Sequence, residues 1–212
     1  MIGVIDYGMG NIQSVVNAFQ RIGADVGVVT TARQIAESEG IILPGVGAFN
    51  QAMENLSKQN LVSQIQKSVE SGVPLLGICL GLQLLAESSE EFGYHEGLGL
   101  MPGVVSRIPE NPGCRVPHIG WNEVKIASLE NNFLFAGIEN SDCFYFVHSY
   151  ALSCDSKYVS GITHHGSEIT ASIQHKNIFA TQFHPEKSQT NGLKLLRNFK
   201  KYVENNCVVN NG

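Results

Sequence analysis

Four short apolar runs, each followed by a turn and then by residues of helical period, constrain the fold of this 212-residue chain more than any other feature. Residues 2–5, 25–30, 41–43 and 73–78 read as strands. Behind the first run, Ile12, Val15, Val16, Phe19 and Ile22 recur at helical spacing. A short helix follows the second run, two helical segments fill residues 48–71, and residues 80–91 read as a helix after the fourth. Strands that alternate with helices in this way build a parallel sheet covered on both faces.

The second half changes character. Residues 104–108, 123–126, 143–152, 158–163, 169–175 and 178–183 all read as strands, with His175-Lys176-Asn177 as a tight turn between the last two. A final helix over residues 192–203 has Leu193, Leu195, Leu196, Phe199 and Tyr202 as its apolar positions, and a frayed polar tail is expected at Asn210-Asn211-Gly212. There is no repeat and no linker. The expectation is one domain over residues 1–212, an α/β fold with a mostly parallel sheet flanked by helices and an antiparallel β extension in the second half.

Composition narrows the function classes. Charged residues are 16% of the chain, against roughly 25% in typical domains, which fits much buried sheet. The net charge is −5 and no basic cluster is visible, which argues against nucleic acid as a partner. No apolar run approaches the roughly 18 residues of a membrane span, and the first residues lack the basic start of a signal peptide. The five cysteines include no Cys-x-x-Cys pair, so neither a zinc cage nor a disulfide framework is expected. A reduced, cytoplasmic protein is the expectation.

The strongest local signal is Gly77-Ile78-Cys79-Leu80-Gly81, a Gly-x-Cys-x-Gly at an expected strand-to-helix junction. A nucleophile on so sharp a turn sits in a strained backbone and needs small neighbours. There Cys79 would project from the carboxyl end of the sheet, where open α/β sheets bind ligands. The helix N-terminus would favour its thiolate, and the Leu80 N–H would point at a developing oxyanion. The bland reading is a small buried hydrophobe, the common fate of a free cysteine; the glycine bracket turns the balance.

A thiol nucleophile needs a base. His184-Pro185-Glu186 follows an expected strand. Extended backbone before proline puts His184 and Glu186 on one side, so the carboxylate can orient the imidazole. Pro44-Gly45-Val46-Gly47 closes the third strand; it reads equally as an oxyanion-binding glycine loop or as an ordinary turn. Gln83 lies about one helical turn beyond Cys79, and reads as a neutral hydrogen-bonding contact for a substrate or as a solvated helix position. Glu91, read as the end of the helix after Cys79, could equally belong to a plain acidic turn with Glu87 and Glu90; acids there oppose the helix dipole, which slightly favours a functional reason for it. Trp121, the only tryptophan, reads as a core aromatic or as an interface anchor. Lys187 is by default a surface lysine. His118 and His148 are by default satisfied polar residues, and the His164-His165 pair has no metal-site spacing.

At this point several segments together resemble a known family. GICLGLQLL (residues 77–85), PGVG (44–47) and FHPEKS (183–188) are similar to the class I, triad-type glutamine amidotransferases. DYGMGN (6–11), PHIGWN (117–122) and FYFVHSY (144–150) narrow the likeness to the glutaminase subunits of imidazole glycerol phosphate synthases. The resemblance runs along essentially the whole chain.

It implies a flavodoxin-like fold and hydrolysis of L-glutamine to glutamate and ammonia, without a cofactor or metal. By this likeness Cys79 is the nucleophile, His184 the base and Glu186 the orienting acid. Gly47 and Leu80 supply the oxyanion N–H groups, and Gln83, Glu91, Ser149 and Tyr150 hold glutamine. The implied partner is a (βα)8-barrel cyclase, forming a heterodimer through Asn11, Trp121, Tyr145 and Lys187. It takes the ammonia to form imidazole glycerol phosphate and an aminoimidazole carboxamide ribonucleotide in histidine synthesis. His165, Ala180 and the Cys114-Arg115 lead-in depart from the family's usual pattern. A paralogous glutaminase serving surface-sugar synthesis, or a non-catalytic scaffold subunit, are the competing readings.

Overall fold

The computed structural model describes residues 1–127 and 132–210, with side chains through residue 206. The first half forms as its pattern dictates: β1 (Ile2–Ile5), α1 (Ile12–Arg21), β2 (Val26–Val29), α2 (Ala32–Ala36), β3 (Gly40–Gly45), α3 (Phe49–Lys58), α4 (Val62–Glu70) and β4 (Leu75–Cys79). β1 pairs in parallel with β2 and β3, and β3 with β4. Successive residues of β1, β3 and β4 are buried on opposite faces, whereas β2 forms the sheet edge and leaves Val28 exposed. Ile5, Ile41, Leu43 and Leu75 enter one core with Phe49, Leu56 and Ile65 from the helices. Val4, Ile42, Leu76 and Ile78 enter a second core with Phe19 of α1. Burial on both faces is why these strands read as continuous apolar runs.

The remaining elements are α5 (Leu80–Leu84), β5 (Ala86–Ser89), β6 (His95–Glu96), β7 (Met101–Arg107), β8 (His118–Glu123), β9 (Lys125–Ile126), β10 (Cys143–His148), β11 (Tyr150–Ser153), β12 (Val159–His164), β13 (Glu168–His175), β14 (Ile178–Thr181) and α6 (Gln189–Asn210). The main sheet runs β2-β1-β3-β4-β14-β13-β12-β9. β14, although last in sequence, lies parallel beside β4, and β13, β12 and β9 add antiparallel strands beyond it. A four-stranded sheet (β11-β7-β5-β6) and a two-stranded ribbon (β10-β8) complete the second half.

Four sequence expectations are corrected. The helix expected over residues 80–91 stops at Leu84, and β5 takes over. Ser88 and Ser89 find ladder partners in β6 and β7, and serine is a poor residue for a helix interior. The single strand expected over 143–152 is two strands broken at Ser149: β10 pairs with β8, β11 with β7. The strand expected at 123–126 begins earlier, because His118–Glu123 pairs along the whole of β10. The last helix extends beyond 192–203 in both directions. Of the tail expected to fray, Asn210 ends α6 and residues 211–212 lie outside the described residues.

Candidate active site

β3, β4 and β14 end at the same edge of the main sheet, with Gly45 opposite Cys79 in register. Cys79 takes φ +54° and ψ −107°, a conformation that costs an L-residue of order 1–3 kcal/mol. The surrounding packing enforces it. A Cβ on Gly81 would lie 1.7 Å from the Leu43 carbonyl oxygen, and one on Gly77 would lie 2.9 Å from the Gly81 carbonyl oxygen. Neither position admits a side chain, so the chain turns sharply between β4 and α5 and carries Cys79 to the rim.

The rim holds a cavity of about 550 Å3, lined by Cys79, Leu80, Gly47, Gln83, Glu91, Ser149, Tyr150 and His184 among others. These include eight of the positions nominated from sequence for chemistry and substrate contact. The ninth, Glu186, is buried beside the cavity, and its Oε1 lies 2.8 Å from His184 Nδ1. The His184 backbone N–H donates to the Tyr145 carbonyl, and the Ser188 hydroxyl donates to the His184 carbonyl. With its backbone clamped and Nδ1 engaged, the imidazole has a single free nitrogen. That nitrogen, Nε2, is buried without a hydrogen-bond partner.

Burial by itself pushes the His184 imidazole down, but Cys79 and Glu186 together outweigh it and hold the group up at about 9. Cys79 acts on the ring without a formed hydrogen bond to Nε2. Because the folded value lies above the ordinary 6.5, protonated His184 stabilises the fold fully below about pH 6.5, and that stability is lost as pH rises through about 9. We expect Glu186→Gln to bring the imidazole well below its wild-type value, as read by NMR titration. The same variant should flatten the loss of thermal stability between about pH 6.5 and 9. An unchanged His184 titration in the variant would show that the carboxylate does not support the imidazolium.

The positions nominated for substrate contact are less solvated than sequence alone allows. Gln83, expected either as a substrate contact or as a solvated helix position, is buried and donates to the Tyr150 carbonyl (2.9 Å) and to Gln182 Oε1 (3.1 Å). Glu91 is in no helix, which removes the dipole argument made for it. Its carboxylate accepts the Phe49 N–H at 2.7 Å, at the N-terminus of α3, where the dipole favours a negative charge. Gln182, not nominated from sequence, is fully buried and its Nε2 lies 3.8 Å from Cys79 Sγ. Its position two residues before His184 in an extended segment was the available signal. The Tyr7 hydroxyl donates to the Pro44 carbonyl at 2.9 Å beneath the 44–47 loop, and burial, aided by the charge of Cys79, raises the phenol.

Three of the four positions nominated for an interface, Trp121, Tyr145 and Lys187, are neighbours. Trp121 is 49% exposed, which excludes the core reading, and faces Tyr145 across the ribbon at 6.0 Å between ring centroids. Lys187 Nζ stands 5.9 Å over the Tyr145 ring. Asn11 caps α1, which packs against the Pro185–Lys187 turn. Ile119, 60% exposed on the same ribbon face as Trp121, adds to this apolar surface.

Fold and site together define an α/β protein with a sulfur, an imidazole and a carboxylate gathered at the carboxyl rim of its sheet. The model of the family "glutamine amidotransferase class-I" matches residues 3–202, and the chain belongs to that family. It is 50% identical over 203 residues to the imidazole glycerol phosphate synthase subunit HisH of Moorella thermoacetica, covering 95% of each chain. It is 47% identical to the protein of that name from Sulfurimonas denitrificans, over 95% of this chain and 98% of the relative. Among solved structures, PurLQS from Thermotoga maritima shares the fold with a TM-score of 0.74 at 19% identity, covering 95% of this chain and 98% of that one.

Proposed function

We propose that the chain is the glutaminase subunit of an imidazole glycerol phosphate synthase, working as one domain over residues 1–212 in the cytoplasm. The observation that carries the reading is the buried His184–Glu186 pair, whose one free nitrogen shares a cavity with Cys79. The relatives of that name, similar along nearly the full length, support the pathway.

In this reading the Cys79 sulfur attacks the carboxamide carbon of L-glutamine. His184 carries the thiol proton and delivers it to the departing ammonia. Glu186 keeps the imidazole in one tautomer and stabilises its charged form. Backbone N–H groups of Gly47 and Leu80 take the oxyanion. Glu91 faces the substrate ammonium, while Gln83, Ser149 and Tyr150 hold the rest of the amino acid. Water then releases glutamate from the thioester. Ammonia leaves towards a (βα)8-barrel cyclase docked on Asn11, Trp121, Tyr145 and Lys187, behind which the site lies. No cofactor or metal enters any step.

A glutamine-analogue electrophile should label the chain once, at Cys79, and free glutamine should protect it. The gene should restore growth without histidine to a strain lacking this subunit. Labelling elsewhere, or without protection, overturns the glutaminase reading. Labelling at Cys79 without rescue points to another ammonia acceptor, such as a surface-sugar amidotransferase.

A further inference from the structure

At one end of the β8–β10 ribbon, His118 and His148 stand opposite each other in register, both more than nine-tenths buried. His148 lines the cavity, yet the steps above do not use it. The bonds around the pair admit one proton arrangement. His148 Nδ1 lies 2.9 Å from the Tyr150 carbonyl, which can only accept, so Nδ1 carries the proton. In the neutral ring Nε2 then accepts, and His118 Nδ1, 3.0 Å away, donates to it. His118 Nε2 in turn accepts from Asn122 Nδ2 at 3.2 Å. The Asn122 amide cannot be reversed, because its Nδ2 also donates to the His164 carbonyl (2.9 Å) and its Oδ1 accepts the Glu123 N–H (2.9 Å). Protonating either ring would set two donors against each other within the chain. Burial opposes that charge as well, holding His148 at about 3 and His118 at about 4, with the stacked His165 adding to both effects.

The line of donors ends on the Tyr150 carbonyl, whose second lone pair takes Gln83 Nε2 at 2.9 Å. Both lone pairs are therefore filled, and the Ser149–Tyr150 wall of the cavity is pinned from two sides. We propose that His118 and His148 are positioning residues for glutamine binding, a neutral pair of fixed tautomer that ties the substrate-facing Ser149–Tyr150 wall to Asn122 on the ribbon. This inference rests on the reading of the cavity as a glutamine site. Neither ring touches the reacting atoms. The pair sets the shape of the wall in ground state and transition state alike, so its loss raises KM and leaves kcat nearly intact.

The test compares His148→Leu, which fills the space without a donor, with His148→Asn, whose amide nitrogen can stand where Nδ1 stood. Both are assayed as the full chain assembled with its cyclase. His148→Leu should raise the KM for glutamine about tenfold, roughly the worth of one hydrogen bond, with kcat within about threefold. His148→Asn should recover most of the loss. An unchanged KM in the leucine variant, a fall confined to kcat, or an asparagine variant no better than leucine overturns the proposal. Should the variants not fold, nitrogen-15 NMR of the wild-type imidazoles at neutral pH decides instead. Two neutral Nδ1–H rings support the pair, and a charged ring or an Nε2–H tautomer at either position overturns it. A wild-type complex that leaves glutamine unhydrolysed defeats the glutaminase reading and this inference with it.

Discussion

Alanine at position 79 should lower glutamine-dependent turnover by about 10^4-fold or more, while turnover driven by added ammonium salts stays within about twofold. The difference follows from where the sulfur sits. Cys79 faces a cavity that also holds His184, and no other described cysteine lines it. In the proposed mechanism the sulfur alone forms the thioester, so its loss removes that step. The fold should survive, because alanine is no more strained at φ +54° than cysteine and leaves no large void. The measurement is steady-state glutamate release beside ammonium-driven product formation in the same complex. A variant that keeps more than a few per cent of its glutaminase rate rules out Cys79 as the nucleophile, whereas equal loss in both assays signals damage to the complex instead.

The second large effect is on stability. Gly81→Ala should destabilise the chain by about 3 kcal/mol or more, which for a domain of this size lowers Tm by about 10 °C. The new methyl would stand 1.7 Å from the Leu43 carbonyl oxygen, and there is nothing flexible to yield. Leu43 is in β3, pairs with Gly77 of β4, and is itself fully buried. Relief therefore requires α5 to move off the sheet, and Cys79 would move with it. Gly99→Ala is the control. Its φ of +63° makes alanine unfavourable, but no atom lies within 4 Å of the added methyl, so about 1 kcal/mol is expected. If the two variants melt alike, the close packing of the elbow against β3 is not what holds Cys79 in place.

The parallel half of the sheet was legible because its determinants are local. β1 to β4 are apolar at nearly every position and the helices between them keep their period, so each segment declares its own structure. The elbow was legible for a related reason: a residue held on so strained a turn needs its glycines at fixed offsets along the chain. The helix expected to follow Cys79 shows where this ends. Residues 80–91 carry enough apolar spacing for a helix, but Ala86–Ser89 meets β6 and β7, and partners from elsewhere in the chain outweigh a weak local preference. Glu91 was misplaced with it and became an acceptor for the N-terminus of α3.

What the amino-acid sequence determined by itself is the α/β class, the residues that can do chemistry, and the family, all of which rest on spacing along the chain. What the tertiary structure alone decided is adjacency. The placing of β14 beside β4 brings His184 and Glu186 to the rim that Cys79 occupies. Folding of the ribbon sets His118 against His148 across a sequence separation of 30, and packing buries Gln182 against the sulfur. Such contacts depend on which strands pair. Pairing is a property of the whole core, because each strand gains stability only from partners that the rest of the fold has already placed.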